Sequence, residues 1–174
     1  MPAPFGNLHL VHSLPAQSGL MILSPLSGLV MPLPQVKEAA YAAGYHGEGI
    51  LLQLQGNRLI APFTGSCQRF DHAGQHIVLR HQHGFRLDLH FPTECLLNHG
   101  LGFDWQVPEQ ASMSKGQCLL QFDLSLFSTW LETPYCVLTL PQHSKFNRIW
   151  SRPSYHEALI DPLFLLEPKT AAAG

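Results

Sequence analysis

From residue 20 onward the chain reads as apolar runs of four to six residues, broken at short intervals by Gly, Pro and Asn. That punctuation marks an all-β chain, because strands need only a few residues each and the turns between them need residues that fix or free φ. The runs predict strands over 20–23, 29–33, 50–54, 59–61, 66–70, 76–80, 85–91, 118–122 and 135–140. Two stretches depart from the pattern: 36–43, rich in Ala, and 124–131, each of which predicts a short helix. The expected fold is therefore a β-sandwich or barrel-sandwich with few, short helices.

The chain also echoes itself. Ser24-Pro25-Leu26-Ser27-Gly28 recurs as Ala61-Pro62-Phe63-Thr64-Gly65, and Gly49-Ile50-Leu51-Leu52-Gln53 as Gly116-Gln117-Cys118-Leu119-Leu120-Gln121. Both echoes fall at strand boundaries and suggest a duplicated hybrid β motif. In Pro-x-x-Gly the proline fixes φ and the glycine is expected to supply a positive φ in the turn. Residues 1–17 hold three prolines and little periodicity, so they read as a loosely ordered tail. One domain is expected over 18–144. An extension over 145–174 carries Trp150, Tyr155 and Phe164, which should cover a sheet edge or extend the core.

One strand carries candidate chemistry. Phe85, Leu87, Leu89 and Phe91 alternate with Arg86, Asp88 and His90, so His90 lies on the polar face. Pro92 follows and cannot donate to a ladder, so the strand should stop or reach an edge there, with His90 open to solvent or ligand.

Composition narrows the partners. Ten Lys and Arg against 12 Asp and Glu give a formal charge of −2, with no run of like charge, which leaves no electrostatic footprint for nucleic acid. The apolar segment over 20–33 is cut by Pro25 and Pro32, so no membrane span is expected. Four cysteines lie far apart, and residues 1–18 lack a basic start followed by an apolar run, so reduced thiols and a cytoplasmic location are expected. Eleven histidines are the oddity. A zinc site using His76, His81, His83 or His90, with His72 nearby in sequence and His76 and His90 the first choice, is one use for them, although Gly84 after His81-x-His83 suggests a hairpin turn.

Set in order, Pro25-Leu26-Ser27-Gly28, His46-Gly47-Glu48-Gly49-Ile50, Gly56-Asn57, Ala61-Pro62-x-x-Gly65, Leu89-His90-Phe91, Gly100-Leu101-Gly102-Phe103 and Phe122-Asp123-Leu124 resemble glucose-type enzyme IIA of the bacterial sugar phosphotransferase system. The spacing holds without a gap from Pro25 to about Leu126. The resemblance implies a monomeric phosphocarrier that needs no cofactor. His90 would accept phosphate from an HPr-like phosphocarrier and donate it to the IIB domain of a IIB/IIC sugar permease, and proteins regulated by the carrier are further possible partners. It also implies rim or docking roles for Glu38 and Glu94, and for Phe91 a place in the docking surface or the core. The family's second active-site histidine falls at Gln75, and adjacent His76 could substitute only through a register shift or a bulge, since neighbours on a strand face opposite ways. Pro92 in place of the family's glycine, and Gln75, motivate an alternative: a regulatory protein-binding module that has lost transfer.

Overall fold

The computed structural model describes residues 8–16, 19–33, 47–71, 73–141 and 146–169. In chain order the strands begin with β1 (Leu8–Leu10), β2 (Leu20–Leu23), β3 (Gly28–Pro32), β4 (Glu48–Leu54), β5 (Arg58–Ile60), β6 (Gly65–Arg69), β7 (His76–His81) and β8 (Arg86–His90). Helix α1 (Thr93–Leu97) follows, then β9 (Phe103–Trp105), β10 (Gln110–Met113) and β11 (Cys118–Phe122). A single turn, α2 (Leu124–Phe127), leads to β12 (Tyr135–Leu140), β13 (Phe146–Ser151), β14 (Tyr155–His156) and β15 (Pro162–Pro168).

Three sheets share one core. The largest has eight strands in the order β10-β6-β7-β8-β12-β4-β3-β14, antiparallel throughout. A four-stranded sheet runs β1-β13-β15-β2, with β1 parallel to β13, and a three-stranded one runs β5-β11-β9. Leu52, Ile77, Leu79, Leu87 and Leu89 from the first sheet meet Ile22, Phe164 and Leu166 from the second and Leu59, Leu120 and Phe122 from the third. Only one face of β7 and β8 enters this core, which leaves their other face for polar residues.

All nine expected strands form, with ends moved by at most two residues. The extension is more than an edge cover: β13 and β15 are the inner strands of the four-stranded sheet, and Leu163, Phe164, Leu165 and Leu166 are all buried. Within the expected tail, Leu8–Leu10 pairs with β13. The helix expected over 36–43 lies outside the described residues. Asp123 caps α2 by accepting from Leu126 N–H at 3.0 Å, but the helix ends at Phe127 and the chain continues as turns. Sequence reasoning missed α1. Pro92 ends β8 and also opens this helix, where a missing N–H leaves nothing unpaired.

The two Pro-x-x-Gly turns work differently from the expectation. Neither Gly28 nor Gly65 has a positive φ. Instead, a Cβ at Gly28 would lie 2.0 Å from the Gln53 carbonyl oxygen, and one at Gly65 would lie 1.8 Å from that of Arg80. The repeated glycine is there because the neighbouring strand passes too close for a side chain. Gly28→Ala and Gly65→Ala are each expected to lower stability by about 1–3 kcal/mol through overpacking. Urea unfolding should show a lower midpoint at unchanged slope, and an unchanged midpoint would show that the close approach is not required.

Candidate functional site

The chemistry gathers on the polar face of the β7–β8 pair. In an antiparallel ladder, directly opposed residues share a face. The register pairs His76 with His90, Val78 with Asp88 and Arg80 with Arg86. The His76 and His90 rings stack with centroids 4.3 Å apart and an interplanar angle of 17°. No bulge or slip is needed, so the expected obstacle to His76 as a partner is removed: His76 faces opposite to Gln75, and that is the side on which His90 lies.

The loop before β7 sets this register. Asp71 Oδ1 accepts the Ala73 and Gln75 N–H groups at 3.0 and 2.9 Å, and its Oδ2 accepts His76 N–H at 2.8 Å. Phe91 N–H donates to the Gln75 carbonyl at 2.8 Å, and the Gln75 amide donates back to the Phe91 carbonyl at 2.5 Å. Gln75 is thus spent on the backbone at the end of β8, and it is His76 that meets the His90 ring. Asp71 was not singled out from sequence, although an Asp three residues before a Gly is a common turn signal.

Asp88 completes the group. It is only 3% exposed, and Arg86 clamps it with Nε donating to Oδ1 at 2.8 Å and Nη2 donating to Oδ2 at 2.6 Å. His76 Nε2 lies 3.1 Å from the same Oδ2. Burial pushes the Asp88 carboxyl up, but hydrogen bonds from His76 and Arg86 and their charges outweigh it and hold the group below the ordinary carboxylate range. Across the ladder, the buried Thr139 hydroxyl opposite Asp88 has no hydrogen-bond partner among the described residues. Phe70, half exposed, stacks on His76 at 5.1 Å.

Other expectations fare differently. The strand stops at His90, as one of the two expected outcomes, but His90 was expected open to solvent or ligand, and on this inner strand it is 3% exposed. His76 is the more accessible ring, its side chain 28% exposed. Phe91 is not a rim residue: it is 1% exposed and packs edge-on against Phe103 and Phe122 in the core. Glu94 sits in the first turn of α1, outside the hydrogen-bonded group. Glu38 and His72 lie outside the described residues.

Donor atoms of His76, Asp88 and His90 lie within 4.8 Å of one another, the one such group of three among the described residues. A cation bound there would take one Asp88 oxygen that Arg86 already holds. His81 and His83 do not join it. His81 stacks on Phe85, and its Nδ1 accepts from His83 N–H at 3.0 Å in the hairpin turn. The four cysteines are free, and burial raises the Cys67 thiol to about 11 and the Cys95 thiol to about 12.

A family model described as phosphoenolpyruvate-dependent sugar phosphotransferase system, EIIA 1, matches residues 20–145. The chain is 29% identical over 110 residues to the PTS system glucoside-specific EIICBA component of Staphylococcus carnosus, covering 63% of this chain and 16% of that protein. It is 28% identical over 167 residues to the Lactose permease of Lactobacillus delbrueckii subsp. bulgaricus, covering 95% of this chain and 26% of that protein. The chain therefore spans about a quarter or less of these relatives. The solved structure of glucose permease IIA from Mycoplasma capricolum aligns with a TM-score of 0.72 at 16% identity, over 86% of this chain and 96% of that one, which shows the same β-sandwich fold. No helix among the described residues is long and apolar enough to cross a membrane.

The depressed Asp88 carboxyl has a consequence for acid stability. Its contribution is complete above the ordinary carboxylate value of about 4 and is lost as pH falls through the lower folded value. Stability measured by urea unfolding should therefore decline with falling pH more steeply in the native protein than in Asp88→Asn. Parallel curves for the two would show that the ion pair adds no linkage.

Proposed function

The chain belongs to the EIIA 1 family of the phosphoenolpyruvate-dependent sugar phosphotransferase system, and we propose that within it His90 accepts a phosphoryl group from an HPr-like phosphocarrier and passes it to the IIB domain of a sugar permease. The observation that carries this reading is the pair of stacked imidazoles, His76 on His90, on β strands inside the matched segment.

The exchange is chemically balanced with these groups. A neutral imidazole nitrogen is a competent nucleophile near pH 7. Its lone pair forms the new N–P bond as the donor's N–P bond breaks, and that electron pair returns to the donor ring. Each ring keeps the proton on its other nitrogen, so the step needs no redox partner and no metal. Catalysis then rests on placing the rings in line and on positive groups near the moving phosphoryl oxygens. Phe70 offers an exposed apolar ring beside the stack where a partner protein would dock.

One observation favours the second reading, a regulatory protein-binding module without transfer: His90 is almost fully buried, so a donor reaches it only after neighbouring side chains move.

Incubation with enzyme I, HPr and labelled phosphoenolpyruvate separates the readings. A phosphocarrier takes up acid-labile label that disappears in His90→Ala and persists in His76→Ala, with onward transfer to a IIB domain slowed in the latter by about 10²-fold. An unlabelled native protein, under conditions that label a control enzyme IIA, leaves the binding module. Label that survives His90→Ala and vanishes in His76→Ala makes His76 the acceptor.

A further inference from the structure

Gln75 leaves the acceptor without an imidazole at the position the family resemblance assigns, and the structure supplies one from the next residue with equipment of its own. We propose that Asp88, clamped by Arg86, is a positioning residue for phosphoryl transfer: it keeps a proton on His76 Nε2 and the His76 ring stacked on His90, so that His76 serves as the second histidine. This rests on the phosphocarrier reading above.

An ionised carboxylate accepts hydrogen bonds and donates none. Asp88 takes one bond from Arg86 on each oxygen, so its charge already has a partner. The contact from His76 Nε2 to Oδ2 at 3.1 Å comes in addition to that pairing, and it defines the imidazole. Nε2 must carry hydrogen, which leaves Nδ1 as the atom free to act on a group bound at His90. A buried carboxylate behind a histidine fixes tautomer and ring orientation and supports positive charge on the ring when a second proton arrives. That charge would sit within one stacking distance of a phosphoryl group on His90, where the incoming negative charge needs it.

Two further restraints act on the same ring. The His76 backbone N–H is held by Asp71 Oδ2 at 2.8 Å, and Phe70 stacks on the imidazole at 5.1 Å. Backbone and one ring face are thus fixed by the hairpin, and Asp88 fixes the remaining freedom, rotation about the ring bond. Asp88 and Arg86 lie two residues apart on β8, the strand that carries His90, so acceptor and positioning group move as one element.

The test combines spectroscopy with transfer in the full chain. Long-range ¹H–¹⁵N spectra of the native protein should show His76 protonated at Nε2. Asp88→Leu removes the acceptor and leaves behind Arg86, whose side chain is 33% exposed and can turn its charge to solvent. That variant should show mixed His76 tautomers, take up the same final amount of label on His90 and pass it to a IIB domain roughly 10–100-fold more slowly, the scale on which a carboxylate orienting a working histidine acts. Asp88→Asn keeps an acceptor oxygen and should retain the Nε2–H tautomer and most of the rate. If Asp88→Leu fails to give a folded amide spectrum, Arg86→Met releases the clamp from a side chain 33% exposed and should slow transfer in the same sense.

Native His76 protonated at Nδ1 alone overturns the proposal, as does a folded Asp88→Leu that transfers at the native rate. In both cases a labelled native protein leaves the phosphocarrier reading standing. A native protein that takes up no label removes that reading and the proposal with it.

Discussion

An antiparallel pair gives each residue one neighbour directly across the strand gap, and the β7–β8 register gives His90 the side chain of His76. The apolar side of the same ladder enforces that register. Ile77 opposite Leu89 and Leu79 opposite Leu87 are all fully buried in the shared core. A slip of β7 by one residue would turn Ile77 and Leu79 out of the core and His76 into it, at a cost of about 1.5–3 kcal/mol for each apolar side chain exposed. Asp71, by accepting the N–H groups of Ala73, Gln75 and His76, fixes where β7 begins. Gly65 lets β6 lie close against β7. The chemistry of the polar face is thus set by packing on the other side.

The same arrangement explains how a carboxylate survives at 3% exposure. An unpaired charge there would be severely penalised, and pairing makes it tolerable without making it a strong source of stability. A fold that needed only a packed sheet face would do as well with an apolar residue at 88, since its ladder neighbours Val78 and Thr139 offer it no hydrogen bond. The residue is therefore better understood by what it does to His76 than by what it does for the fold.

Period-two alternation and turn residues made six strands of the eight-stranded sheet readable, β3, β4, β6, β7, β8 and β12, and the 85–91 alternation placed Arg86, Asp88 and His90 together. β13 and β15 were hidden because polar Asn147 and Arg148 and the bulge between Pro162 and Phe164 blur their periodicity. β9 and β10 are only three and four residues long, too short for an alternation to show. At the site, His90 was legible, but His76 was legible only as a substitute that needed a register shift or a bulge. Alternation tells which face a side chain takes within its own strand, whereas the pairing of His76 with His90 is a relation between strands. The position of the family's second histidine drew attention to Gln75, which the backbone of Phe91 claims instead.

Burial of His90 then constrains how a donor reaches it. On the β7 flank the His76 ring is tied through Nε2 to Asp88 and through its backbone to Asp71, and displacing it breaks charge-assisted bonds of about 1.5–3 kcal/mol each. On the β12 flank His90 is paired with Val137, which continues through Leu51 to Met31 as a small apolar cluster with Leu33 and Tyr135. Contacts of that kind are non-directional and are lost a little at a time as side chains change rotamer. In the phosphocarrier reading, the opening that admits a phosphoryl group therefore falls on the apolar flank, while the hydrogen-bonded flank stays in place to receive its charge.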